Sequence, residues 1–238
     1  MSIRGQLLQM LKTVAEALGA DLRGRLVFVG GCTTALFITD AVTIEDVRAT
    51  DDVDLIVDLA GYAAWAELQA QLRQRGFMEA YDDTVICRMK LGGLKVDFMP
   101  DDPEILGFSN RWYAKAIETA VTCPLTKDIN IRRLTPELFI ATKLEAYLGR
   151  GDGDLLGSHD LEDILLIVDG REEIIEEVRR ADADIRHFIA EQFRGLLADR
   201  DFDHLLDGNI RGPEGRVDIV RARILALSDD GAERQLAE

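Results

Sequence analysis

No stretch of this chain is long and apolar enough to cross a bilayer as a helix, so a membrane-spanning role is not expected. Cysteine is scarce. Cys32, Cys87 and Cys123 are odd in number and widely spaced, and no Cys/His spacing suggests zinc. Residues 1–20 carry Lys12 and Glu16 inside a helical pattern, which argues against a secretory leader and for a reducing, cytoplasmic setting. There is no internal repeat, low-complexity tract or long linker. Positive charge is also short: 28 Lys and Arg face 44 Asp and Glu, for a net charge of -16. The deficit is uneven, with 15 against 19 in residues 1–134 and 13 against 25 in residues 135–238. Phosphate neutralisation drives general nucleic-acid affinity, so any RNA contact must be local or bridged by metal. Solubility is the plainer consequence of the acidity, and a basic protein partner suits it equally.

The 238 residues, 47% of them hydrophobic, are enough for a real core and for one large domain or two small ones. Residues 3–18 place Ile3, Leu7, Leu8, Leu11, Val14, Ala15 and Leu18 at helical spacing. Strands are expected at 26–29, 54–58, 84–89, 94–99 and 129–134, the third and fourth joined at Gly92-Gly93 as a hairpin. Cys87 within that pattern reads as a small core residue. Short and longer helices are expected at 33–39 and 62–75, the latter ended by Gly76. From Thr135-Pro136-Glu137, a capped helix start, nearly everything reads as helix. The chain therefore reads as an α+β or α/β nucleus of mixed strands and helices over 1–134, then a helical domain over 135–238, with a cleft between them as the natural ligand site.

The chemistry concentrates in Arg48-Ala49-Thr50-Asp51-Asp52-Val53-Asp54. Asp52 and Asp54 point to the same face of a strand. Two carboxylates side by side are costly unless a hard cation shares them, and Mg²⁺ takes one or two carboxylates plus substrate phosphates. Asp97, inside the apolar Leu94–Met99 run, is costly for the same reason. If its strand neighbours that of Asp54, the three carboxylates could hold one or two Mg²⁺. The plainer reading of Asp-x-Asp alone is a solvated strand end. Gly30-Gly31 would let backbone N–H groups approach a triphosphate, with Thr33 and Thr34 as hydroxyl donors or as ordinary helix caps.

In the helical half, Lys143 and Arg150 are two turns apart on one face, ahead of Gly151-Asp152-Gly153-Asp154, and would suit a polyphosphate. Asp160 and Asp163 share a face at i and i+3. A Lys143–Asp160 or Arg150–Asp163 ion pair fixing helix packing is the plainer reading, and both can hold at once. Asn110-Arg111-Trp112-Tyr113 could stack a base but more commonly marks a core anchor. Arg132 and Arg133 read as solvated surface, and the tail from Asp229 as frayed.

These blocks resemble the AbiEii/AbiGii/MenT toxin group of nucleotidyltransferases, within the polymerase-β-like superfamily. Gly30-Gly31 with Thr33 and Thr34, Arg48-x-Thr50-x-Asp52-x-Asp54, and Lys143-Leu144-x-Ala146 with Arg150 and Asp160-x-x-Asp163 carry the resemblance, which spans about residues 24–168. Gly31 stands at the family's serine position and His159 where a lysine is usual. Residues 171–238 match nothing in it. The resemblance implies a minimal nucleotidyltransferase fold, a mixed sheet flanked by helices, with NTP and Mg²⁺ bound. Asp52 and Asp54 would be metal ligands, Asp97 completing the site. Lys143 would contact nucleotide phosphates and Asp160 would be an essential acid. Gly30, Gly31, Thr33, Thr34, Arg48, Thr50 and Arg150 would line the nucleotide. Relatives of this kind can transfer nucleotides to the tRNA 3′ end and are neutralised by a cognate antitoxin. A small-molecule acceptor of the aminoglycoside kind, a protein side chain, and a non-catalytic NTP-binding module are the competing expectations.

Overall fold

The computed structural model describes residues 1–59, 61–80, 83–150 and 153–230. Gly151, Asp152 and the tail from 231, both singled out in the sequence, lie outside that set. The chain forms two compact units: Met1–Ala35 with Arg48–Thr135, and Leu36–Val47 with the chain from Pro136 onward.

The first unit is a mixed sheet with helices. Its elements are α1 (Ile3–Arg25), β1 (Val27–Val29), a 3₁₀ turn (Gly31–Leu36), β2 (Asp52–Val57), α2 (Tyr62–Gln74), β3 (Phe77–Glu79), β4 (Arg88–Leu91), β5 (Leu94–Pro100), α3 (Pro103–Leu106), α4 (Tyr113–Thr119), β6 (Val121–Pro124) and β7 (Asn130–Arg133). The seven strands of the described residues run β3-β4-β5-β2-β1-β7-β6. β2 pairs parallel with β5 and antiparallel with β1; β1 pairs parallel with β7. The fold is thus α+β, one of the two classes the sequence pattern allows, with the mixed sheet and flanking helices that the resemblance implies.

Leu7, Leu11, Val14, Leu18 and Leu22 recur at three- and four-residue steps along α1 and are all buried, and the helix packs on β7 and β2. Gly19 breaks the helix with φ 70°. The carbonyls released there are recovered by side chains: Arg23 donates to Ala15 O at 2.9 Å and Arg75 to Leu18 O at 2.8 Å. Arg75 Nη2 also donates to both Asp21 carboxylate oxygens, at 2.9 and 2.7 Å.

Several boundaries differ from expectation, each for a local reason. β2 begins at Asp52 rather than Asp54, because the parallel ladder to β5 already includes Asp52 opposite Lys95. β4 begins at Arg88 rather than 84, since Arg88 N–H bonds back to Val85 O and closes a turn. Cys87 is buried just before the strand, as a core thiol should be. Thr33–Thr39 is a 3₁₀ turn ending at Leu36 rather than a longer helix. β3 and β6 are short strands whose sequence carries no period-two pattern; antiparallel partners β4 and β7 supply their hydrogen bonds. Trp112 is buried and Tyr113 Oη meets Met99 Sδ at 3.3 Å, so this cluster is a core anchor. Arg132 donates to Ile117 O at 2.6 Å and Arg133 to Leu134 O at 2.7 Å, which fixes backbone rather than facing solvent freely.

The second unit comprises α5 (Pro136–Gly149), α6 (His159–Gly170), α7 (Ile174–Arg180), α8 (Ala183–Leu197), α9 (Phe202–Asn209) and α10 (Arg216–Leu227). α5 packs on α6, α7 and α8, while α10 packs on α6 and α8. Residues 36–47, which the sequence pattern assigns to the first domain, group with these helices. The C-terminal end of α6 explains why. Gly170 O accepts N–H bonds from Thr39 and Asp40 at 2.9 Å each, and Arg171 donates to Phe37 O at 2.9 Å. Phe37 and Phe139 rings lie 4.9 Å apart. Gly170 itself is required by the crossing, since a Cβ there would sit 2.6 Å from Thr43 Oγ1 and 2.8 Å from Ile38 Cγ2. Arg216 closes the arrangement with pairs to Asp40 and Asp169. Among the described residues no helix is long and apolar enough to cross a membrane.

Candidate metal centre

The parallel ladder of β2 and β5 puts Asp54 directly opposite Asp97. Asp52 and Asp54 are two apart on β2, so all three carboxylates project from one face of the sheet. One oxygen of each lies within 4.8 Å of the others, and the group could hold a metal ion. Three hard carboxylate donors suit Mg, Ca or Mn rather than a soft-ligand metal. The neighbouring-strand placement of Asp54 and Asp97 expected from sequence is therefore present. Asp97 is buried, Asp52 and Asp54 half-buried. Burial pushes the Asp97 carboxyl above the usual carboxylate range, with the Arg88 guanidinium opposing and the Asp52 and Asp83 charges reinforcing the rise.

Arg88 is the residue that reading the sequence missed. It stands opposite Asp97 in the antiparallel β4–β5 ladder. Its Nε donates to Asp97 Oδ1 at 2.7 Å and its Nη2 to Asp97 Oδ2 at 2.8 Å, a forked pair. The same Nη2 reaches Asp52 Oδ2 at 3.3 Å, and Nη1 donates to Asp83 Oδ2 at 3.0 Å. Bonds to Asp97 raise the Arg88 pKa further, so it is a permanent cation. A signal for it did exist. Gly92-Gly93 is a two-residue hairpin turn, and counting outward from Leu91 opposite Leu94 brings Arg88 opposite Asp97.

Thr50 Oγ1 donates to Asp52 Oδ1, so Thr50 orients a candidate ligand. Arg48 bonds Ala49 O at 3.1 Å. Gly30 serves Asp54. It has φ 72°, and a Cβ added there would lie 1.8 Å from Asp54 Oδ2. Only glycine lets the carboxylate lie against the backbone at this turn. Thr33 donates to Gly30 O through both its N–H (3.1 Å) and its Oγ1 (2.8 Å), which closes the turn behind Gly30. Thr34 Oγ1 is buried with no hydrogen-bond partner among the described residues, and Gly31 is buried at the start of the same turn. Burial raises the Cys87 thiol to about 12, with Asp97 and Asp54 adding to it. Burial, then Asp54 and Asp52, likewise raise Cys32. Their surroundings thus hold both thiols in the neutral form.

Lys143, Arg150 and Asp160 meet in the second unit. Lys143 Nζ lies 3.1 Å from Asp160 Oδ1 and 2.7 Å from Asp163 Oδ2, and Arg150 reaches Asp160 Oδ2 at 2.6 Å. Both aspartates are buried. Burial by itself would lower the Lys143 pKa; the two carboxylates outweigh it and the net shift is upward. These ion pairs link α5 to α6.

No protein-family model matches the chain, and neither does any curated protein. Among solved structures the chain is similar to JHP933 from Helicobacter pylori, with 13% identity and a TM-score of 0.48 over 98% of this chain and 95% of that one. A likeness this remote carries nothing about activity.

Proposed function

We propose that the chain is a metal-dependent nucleotidyltransferase, moving NMP from an NTP to a hydroxyl acceptor. The observation that carries the reading is the Asp54–Asp97 register, which gathers three carboxylates from two parallel strands on one sheet face. In the proposed reaction the acceptor oxygen bonds to the α-phosphorus, the bond to the β-phosphate oxygen breaks, pyrophosphate leaves with that electron pair, and the hydroxyl proton passes to solvent. Asp52 and Asp54 would hold Mg²⁺, with Asp97 beside them, and the bound ion would neutralise triphosphate charge and polarise the reacting phosphorus. The remaining work belongs to the chain. Thr50 fixes the Asp52 rotamer, Gly30 leaves room for Asp54, and Arg88 holds Asp97 in place. Catalysis of such transfers is largely positioning and charge stabilisation, and these contacts supply positioning.

The resemblance to the AbiEii/AbiGii/MenT group and its polymerase-β-like fold supports the same reading and makes the tRNA 3′ end the first acceptor to test, with an antitoxin partner and a cytoplasmic setting to match. The net charge of -16 leaves little for general RNA attraction, which makes small-molecule and protein acceptors the next candidates.

The experiment is label transfer from each of four α-³²P-NTPs, with Mg²⁺, into total RNA, an aminoglycoside panel and a protein extract. Wild type is expected to label one acceptor class with one preferred base, and Asp54→Ala to lose the label. Absence of any labelled acceptor while Mg²⁺–NTP is bound would overturn the transferase reading in favour of a binding module.

A further inference from the structure

Arg88 does more than orient one carboxylate. Its fork occupies both oxygens of Asp97, and its second terminal nitrogen leans toward Asp52, whose other oxygen is taken by Thr50. The guanidinium is only about one-tenth exposed and is anchored on its far side by Asp83. It is also fixed by strand register rather than by a flexible loop, because Arg88 is the first residue of β4 and the ladder partner of Asp97. A positive group built into one flank of a carboxylate cluster has two consequences. It neutralises part of the repulsion among the acids, and it repels a second cation on that flank.

We infer that Arg88 is a positioning residue that acts as the resident cation of the Asp97 flank and restricts the free chain to a single divalent ion, held by Asp52 and Asp54. The inference rests on the metal-dependent reading above. It changes that reading in one respect: of the one or two ions the carboxylates could hold, the chain alone takes one, and the Asp97 flank takes its positive charge from the protein.

The test is Mn²⁺ binding to the full chain without nucleotide, followed by electron paramagnetic resonance of free Mn²⁺ and by calorimetry. Wild type is expected to bind one Mn²⁺ per chain. Arg88→Met, which keeps length and loses charge, is expected to bind a second ion roughly 100-fold or more tighter than any second ion on wild type, because removing a like charge a few ångströms away is a large electrostatic change. Arg88→Lys keeps the charge without the fork and is expected to remain at one ion; Arg88→Gln, neutral but able to donate to Asp97, is expected to gain the second ion and serves if Arg88→Met fails to fold. Two tight ions on wild type, or an unchanged count in a folded Arg88→Met, would overturn the inference and leave the metal reading standing. A wild type that binds no Mn²⁺, indistinguishable from Asp54→Ala, would overturn the metal reading and the inference with it.

Discussion

Lys143→Ala is expected to destabilise the helical unit by about 3–5 kcal/mol, the cost of breaking a buried ion pair by removing one partner. Lys143 sits between Asp160 and Asp163, both buried, at 3.1 and 2.7 Å. Without the ammonium, two carboxylates from one face of α6 remain enclosed. Arg150 still reaches Asp160, but Arg150 is itself two-thirds exposed. A domain's whole stability is about 5–15 kcal/mol, so the loss is a large part of the total. The measurement is urea unfolding followed by far-ultraviolet circular dichroism. Replacing the triad together by apolar residues of similar volume is expected to recover most of the loss, since the uncompensated charge, not the absence of attraction, is what costs. The sign of the pH dependence follows from Lys143 being raised in the folded chain. Its contribution is complete below the ordinary lysine range and is lost only as pH climbs through that range and past it. A Lys143→Ala loss under about 1 kcal/mol, the size of a surface pair, would mean the cluster is not formed as described.

Gly30→Ala is expected to keep the fold and to abolish the proposed label transfer. The added Cβ would meet Asp54 Oδ2 at 1.8 Å and Asp54 Cγ at 2.7 Å, and φ is 72°. An L-residue in that backbone region costs about 1–2 kcal/mol, which a folded domain tolerates. The carboxylate cannot stay where it is, however. Displacement of a reacting constellation by about 1 Å costs roughly 100-fold in rate. Label transfer by Gly30→Ala is therefore expected to fall at least that far, with the unfolding midpoint moving little. Equal activity in the two proteins would mean that Asp54 has no fixed role there.

The site was partly legible in the sequence for a definite physical reason. A charged residue inside an apolar strand is expensive, so Asp97 announced itself, and alternation along a strand put Asp52 and Asp54 together without any knowledge of the fold. What joined the two strands was not local. β2 and β5 pair in parallel from well-separated parts of the sequence, and only the sheet order sets that register. Arg88 carried the same signal as Asp97, a lone charge beside Val85, Ile86, Cys87 and Met89, and the hairpin count from Gly92-Gly93 sets it opposite Asp97. Gly30 was legible as special. Its sequence context suggests room for phosphate, and the structure shows room for Asp54. The placement of 36–47 with the helical unit was not legible at all, since its bonds go to Gly170, Arg171 and Arg216, far later in the chain.

The most direct measurement is the anomalous difference map of a crystal grown with Mn²⁺ and a non-hydrolysable NTP analogue. An ion is predicted at about 2.0–2.5 Å from oxygens of Asp52 and Asp54, with the triphosphate among its remaining ligands. Nucleotide bound with no ion at these aspartates, or an ion bound away from them, would contradict the carboxylate cluster as the centre of this protein's chemistry.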